Sequence, residues 1–396
     1  LADGATVSLA DAVWAGAGRR RAAISWAFRW LLLFLATPAA AASCGDVSSG
    51  KCHVVLATGI DMAYVETGPA DGKPVILVHG LTDSLRSWAP AMRALHRLDP
   101  SLRIIAVDQR GHGDSTLPTG AGCPSRPETC FGMADLAADL AAFMTARHLP
   151  KSVFAGHSLG SFVVQELALS HPDLVERVVL VATATKVTSL APAPGALPED
   201  VLIGPWRRAL DSRGQIYPAG CWALTPLDAD PDAAAWIAAR WDVDPVADPD
   251  FVSAIVPETA RVRLGTWIGA TRGAIAADTT GRLAAIAMPV LVLWGSQDSI
   301  FTAADQDAVK RELARAGARG VPVFWKRYGR RDLPPSGVQE DDIGHNVQWD
   351  APDQVAADID AFIRHGRPTA DLARSAGPPD IRRIVVERRA AGDSRL

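Results

Sequence analysis

The sequence predicts an α/β fold: a mostly parallel, eight-stranded sheet covered by helices on both faces, with a helical cap inserted late in the chain. Three observations carry this expectation. Short continuous apolar runs such as "KPVILVHG" and "MPVLVLWG" mark strands buried on both faces. These runs alternate with segments of helical spacing, the signature of parallel strand–helix–strand units. Residues 186–285 then interrupt the alternation without a strong strand pattern of their own.

In order along the chain, "CHVVLA" and "MAYVET" are short strand candidates, and "KPVILVHG" is a buried strand. The helical spacing of "SLRSWAPAMRALHRL" follows, broken at Pro90, and then the strand "LRIIAVDQ". Next come the amphipathic helix "MADLAADLAAFMTARHL", the strand "KSVFAGHS", the helix "SFVVQELALS" and the strand "VERVVLVAT". After the interruption the pattern resumes with "MPVLVLWG", the helix "TAADQDAVKRELARAG", the strand "VPVFWKRYG" and a last helix, "PDQVAADIDAFIRH". The body therefore divides into 44–185, a helical cap at 186–285, and 286–366, with 367–396 read as a flexible tail. The cap is rich in tryptophan, at 206, 222, 236, 241 and 267, either as cap core or as pocket lining. Its Asp-rich piece "DADPDAAAWIAARWDVDPVADPD" places carboxylates beside prolines and helix starts, where capping explains them better than a cation.

With 396 residues, 48% of them hydrophobic, the chain can bury a large core. Forty basic and 44 acidic residues leave a net charge of −4, which gives no electrostatic case for nucleic acid and points to a small-molecule partner. Residues 1–43 are different material: "RRR" at 19–21, an apolar stretch, then small residues. This composition reads as a secretory signal with A-x-A cleavage choices at 40–43, and the expected location is secreted or periplasmic. The uncharged run from Trp30 to Gly45 is 16 residues long, short of the roughly 20 of a membrane helix. An uncleaved anchor and lipidation of Cys44 stay open, so a membrane tether does too; "AASC" lacks the usual leucine for the latter. Export suits five cysteines. Cys123 and Cys130 bracket a Pro-rich loop and Cys44 is near Cys52, leaving Cys221 over; a fully reduced set is the alternative.

The chemistry is read from "FAGHSLGS". Ser158 falls between a strand and a helix, and Gly156 and Gly160 remove the Cβ atoms that would crowd so sharp a turn. A serine hydroxyl needs an imidazole to take its proton and a carboxylate to orient that imidazole. Of nine histidines, His53 opens an early strand, His96, His148, His171 and His365 lie on or just beyond helices, and His157 points away from its neighbour in a turn. His345, in "DDIGHNVQWDAP", lies in the loop after the last body strand, where a base is needed. Asp298, in "VLVLWGSQDSIF", lies just beyond the strand before it; Asp341 and Asp342 are its rivals.

The stretches "VILVHGLTDS", "AVDQRGHGDS", "GHSLGS", "WGSQD" and "GHNVQWDAP" together resemble a cap-bearing α/β-hydrolase, with similarity running from about Val54 to His365. That resemblance implies the α/β-hydrolase fold and an oxyanion hole formed by the backbone N–H groups of Leu81 and Leu159. It makes His79, Asp108, Arg110, His112 and Asp114 scaffold. Ser161 departs from the pattern, since most relatives have glycine there. The resemblance implies a carboxylic-ester hydrolase that needs no metal or organic cofactor, acting on an apolar ester or lactone. Enol-lactonases, carbon–carbon bond hydrolases and cofactor-free haloperoxidases with perhydrolase activity share these motifs. A ligand-binding receptor with a slow triad is the reading from outside enzymology. Haloalkane dehalogenases and epoxide hydrolases carry aspartate at the elbow, which Ser158 argues against. Arg207, Arg208, Arg261, Arg263 and Arg272 are the cap residues able to clamp an anionic substrate; their aspartate neighbours suggest that most are paired instead.

Overall fold

Runs of β-branched and aliphatic residues pair with runs of the same kind, and the loops between them carry the polar residues. The computed structural model describes residues 44–45, 47, 50–189, 196–240, 247–329, 343–369, 373–375 and 382–386. The signal-like segment, Trp241 and the rival carboxylates Asp341 and Asp342 lie outside them. The first half of the body contains β1 (Cys52–Val55), β2 (Asp61–Thr67), β3 (Lys73–Val78), α1 (Ala89–Leu98), β4 (Leu102–Val107), α2 (Met133–Ala146), β5 (Ser152–His157), α3 (Leu159–Ser170) and β6 (Val175–Val181). The main regular elements of the interruption are helices, joined by turns: α4 (Asp200–Asp211), α5 (Pro226–Ala229), α6 (Ala233–Arg240), α7 (Pro249–Thr259) and α8 (Leu264–Ala276). The body resumes with β7 (Val290–Gly295), α9 (Ala303–Gly317), β8 (Val323–Tyr328), α10 (Val347–Asp350) and α11 (Pro352–His365).

The strands lie in the order β1-β2-β4-β3-β5-β6-β7-β8. All neighbours from β4 to β8 are parallel, and β1 and β2 are antiparallel. Register places the site. Val78 at the end of β3 pairs with Gly156 of β5, and Gly295 at the end of β7 pairs with Tyr328 of β8. The loops after these four strands therefore leave the sheet along one carboxyl edge, where parallel α/β sheets bind ligands.

One face of the sheet packs Leu136, Phe143, Phe162 and Leu167 from α2 and α3. The other packs Trp88 and Leu95 against Ile359 and Phe362 of α11. Each such fully buried side chain contributes about 1.5–3 kcal/mol. The cap has its own core around Trp206, Ile237, Trp267 and Ile268, with Trp206 edge-on to both Trp236 and Trp267.

Two expectations change in detail. Pro90 does not break a helix: a 3-10 turn over Leu85–Trp88 precedes it, and Pro90 occupies the first turn of α1, where its missing N–H costs nothing. The segment read as a flexible tail adds β9 (Ala373–Ser375) and β10 (Arg382–Val386) to the sheet edge, β10 parallel to β8 and β9 antiparallel to β10. Its "IVV" run has the β-branched composition that suits a strand, and composition read over the whole segment concealed it.

Cys44–Cys52 and Cys123–Cys130 are disulfides, and Cys221 is free and buried. In the Asp-rich piece, Asp228 accepts from Thr225 N at 2.7 Å, and Asp248 caps α7 through Asp250 N at 2.8 Å. Among the described residues no cluster of potential metal ligands occurs, and no helix is long and apolar enough to cross a membrane.

Candidate active site

Ser158 sits at the end of β5 with φ 51° and ψ −118°, a conformation that costs a non-glycine residue on the order of 1–3 kcal/mol. The flanking glycines make it attainable. A Cβ on Gly156 would meet Gly160 O at 2.3 Å, and one on Gly160 would meet Val78 O at 2.4 Å. The turn is fastened by Ser158 N donating to Val181 O at 3.0 Å. Ser161, the departure from the expected glycine, is buried and donates its hydroxyl to Ser158 O at 2.6 Å, so the side chain ties the first helical turn to the elbow.

Asp298 is reached by a tight turn off β7, with Asp298 N bonded to Gly295 O at 3.2 Å. Its Oδ1 accepts from Ile300 N at 2.9 Å and Phe301 N at 2.8 Å, which fixes the carboxylate plane. The same oxygen lies 3.0 Å from His345 Nδ1, and both side chains are buried. A carboxylate accepts only, so Nδ1 carries the proton and Nε2 is left as the basic nitrogen. The His345 ring is held between His157 and Phe301, at centroid distances of 5.0 and 5.3 Å.

Ser158 and His345 line one cavity of about 280 Å³. Leu81 and Leu159 line it too, so the structure brings together all five residues singled out from sequence, Asp298 standing behind His345. The rest of the wall is mainly apolar: Phe162, Ile300 and Phe301 from the body, and Val187, Leu202 and Ala274 from the cap segment. No described tryptophan lines it; Trp206 and Trp267 are spent in the cap core and Trp222 packs over Gly265.

The residues expected to be scaffold make bonds of their own. His79 Nε2 accepts from Gln109 N at 3.0 Å, and Asp108 accepts from Leu85 N at 2.6 Å and Asp114 N at 3.0 Å. Arg110 grips Asp139 through two bonds of 2.6 and 2.7 Å. Burial drives the pKa values of His79 and His112 down to about 3, so both are neutral.

Sequence reasoning passed over four polar residues in the cavity wall, Asp83, His157, Ser299 and Asn346. His157, set aside as pointing away, bonds the His345 carbonyl through Nε2 at 3.1 Å. Asp83, in the loop that presents Leu81, is fully buried, and burial pushes its carboxyl up to about 7 against the pull of Ser87 and the neighbouring His345. The only sequence signal was a charged residue inside "HGLTDS", which spacing alone does not distinguish from a helix cap.

Residues 73–352 match the family described as the alpha/beta hydrolase fold. The chain is 33% identical over 241 residues to the "Putative carbamate hydrolase RutD" of Variovorax paradoxus, covering 60% of this chain and 78% of that one. It is 24% identical over 251 residues to 3-oxoadipate enol-lactonase 2 of Acinetobacter baylyi, covering 63% and 81%. A thermophilic esterase from Thermogutta terrifontis superposes with a TM-score of 0.57 at 21% identity, covering 81% of this chain and all of that one.

Proposed function

The chain belongs to the alpha/beta hydrolase fold family and is a hydrolase, and from that premise we propose that it cleaves neutral carboxylic esters through an acyl-enzyme on Ser158. His345 Nε2 takes the Ser158 proton as Oγ attacks the acyl carbonyl. The oxyanion rests on the N–H groups of Leu81 and Leu159. His345 then hands the proton to the leaving alcohol and activates the water that frees the acid, while Asp298 stabilises the transient imidazolium. The observation that carries this reading is His345 locked on Asp298 in the same cavity as a strained serine. Relatives named for carbamate and enol-lactone hydrolysis make a carbamate and an enol-lactone the natural companions in a substrate panel.

Neutral acyl chains are the expected preference. Among the described residues no arginine or lysine lines the cavity. Of the candidate clamps, Arg207 pairs with Asp200 and Asp211, Arg272 with Glu199 and Glu128, and Arg263 donates to Ala223 O. An acyl carboxylate would have to shed its hydration without a partner. Matched esters with and without such a carboxylate should differ at least tenfold in kcat/KM, about 1.4 kcal/mol, in favour of the neutral series. A tenfold advantage for the anionic series would reveal a clamp and overturn the apolar-pocket reading.

Export belongs to the same proposal. Its supports are the signal-like composition of 1–43 and two disulfides, which persist in oxidising compartments. Intact mass and N-terminal sequencing of the exported protein should place its start near Cys44. A full-length chain confined to the cytosol would reject export, and a lipid-sized mass on Cys44 would replace free secretion by anchoring.

A further inference from the structure

We propose that Asp83 and His157 form a buried relay that positions the catalytic base, the Asp83 carboxyl facing His157 Nδ1 while His157 Nε2–H holds the backbone carbonyl of His345. This rests on the reading of His345 as the base. Two contacts define the relay. His157 Nε2 lies 3.1 Å from His345 O, and since a carbonyl only accepts, Nε2 carries the ring proton. Burial and the nearby His345 hold His157 well below its ordinary pKa, so it is neutral and Nδ1 presents a lone pair. That lone pair has no donor, although Nδ1 is buried and 4.0 Å from Asp83 Oδ2.

Asp83 has what Nδ1 lacks. Its Oδ1 is also buried without a partner, and its Oδ2 accepts from Ser87 Oγ at 3.1 Å. Ser87 Oγ is itself oriented, accepting from Trp349 Nε1 at 2.9 Å and Gln348 Nε2 at 3.2 Å in the turn that follows His345. A protonated carboxyl can donate to His157 Nδ1 once the gap closes by about 1 Å; an ionised one can only oppose the lone pair. Gly80 leaves the space for this, because a Cβ there would stand 2.9 Å from His157 Nδ1 and 3.2 Å from Asp83 Oδ2. The other titratable groups facing the pair are His345, His79 behind His157, and Glu258 of α7, which is paired with Arg86. One relay thus links the loop bearing Leu81, the strand bearing Ser158 and the backbone of His345. Asp83 is a positioning residue: it touches no reacting atom.

The test combines kinetics with imidazole nitrogen NMR on the full chain. Asp83→Ala should lower kcat toward an aryl ester by about tenfold to a hundredfold with little change in KM, as a displaced base does. Asp83→Asn, which keeps a donor but cannot ionise, should recover most of that loss at pH 6. The native enzyme should lose kcat above pH 7, and Asp83→Asn should lack that fall. In the native protein the His157 Nδ1 resonance should shift as Asp83 titrates, and Asp83→Asn should abolish the step. Native kcat and pH profile in Asp83→Ala, or a His157 resonance indifferent to pH, would overturn the relay. An intact titration in a protein that turns over no ester would uphold the relay and overturn the ester reading instead.

Discussion

Ser158→Ala abolishes ester hydrolysis and leaves the fold in place: the expected fall in kcat is about 10⁵- to 10⁶-fold, the loss that follows when a triad nucleophile is removed. The hydroxyl supplies the covalent chemistry, whereas the packing around the elbow comes from Gly156, Gly160 and Ser161. Removing one oxygen from a half-buried side chain should leave near-UV circular dichroism unchanged and Tm within about 2 °C, a stability change of under 1 kcal/mol. A fluorophosphonate should label the native protein on Ser158 and the variant nowhere. If the purified variant turned over an aryl ester at the native rate, the acyl-enzyme mechanism would be wrong.

The largest effect on stability is expected far from the chemistry, at Asp358 of α11. Lys326 of β8 is completely buried, and its ammonium donates to Asp358 Oδ1 at 2.6 Å. The same carboxylate accepts from Thr369 N at 2.9 Å and from the Tyr328 hydroxyl, whose pKa burial and this carboxylate drive well above its ordinary value. Asp358→Ala strips the carboxylate from a buried ammonium, which costs about 3–5 kcal/mol. For a chain of this size that is a drop in Tm of roughly 10 °C. Because α11 packs over the sheet without entering the cavity, kcat at 20 °C should stay close to native in the folded fraction. A Tm shift of less than 3 °C would show that the buried ammonium finds another partner.

Much of the architecture was legible in the sequence because continuous apolar runs and helical spacing are local patterns. The run 352–365 was read as a helix with the bounds that α11 has, since Pro352 starts it and Gly366 ends it in left-handed conformation. Ser158, Asp298 and His345 could be chosen because each follows a strand, and a parallel sheet gathers strand ends at one edge. What escaped depends on distant pairing. β10 is a strand through β8, and no local pattern announces a partner more than fifty residues away. The role of His157 escaped because its bond to His345 O joins residues 188 apart, and the raised pKa of Asp83 follows from burial, which sequence does not state.

The cap tryptophans packed on one another have a further consequence for how such a protein diversifies. Since Trp206 and Trp267 hold the cap together from within, the cap's cohesion and the cavity's shape are inherited separately. Among the described residues of that segment, three aliphatic ones, Val187, Leu202 and Ala274, face the substrate's side of the wall. Selection can enlarge or narrow the acyl chamber at Val187 and Ala274 without touching the aromatic cluster, whereas Leu202 also packs against that cluster. A selectivity change should therefore arise in one or two mutational steps, and a library confined to these three positions should yield altered chain-length preference with the triad's pH dependence conserved.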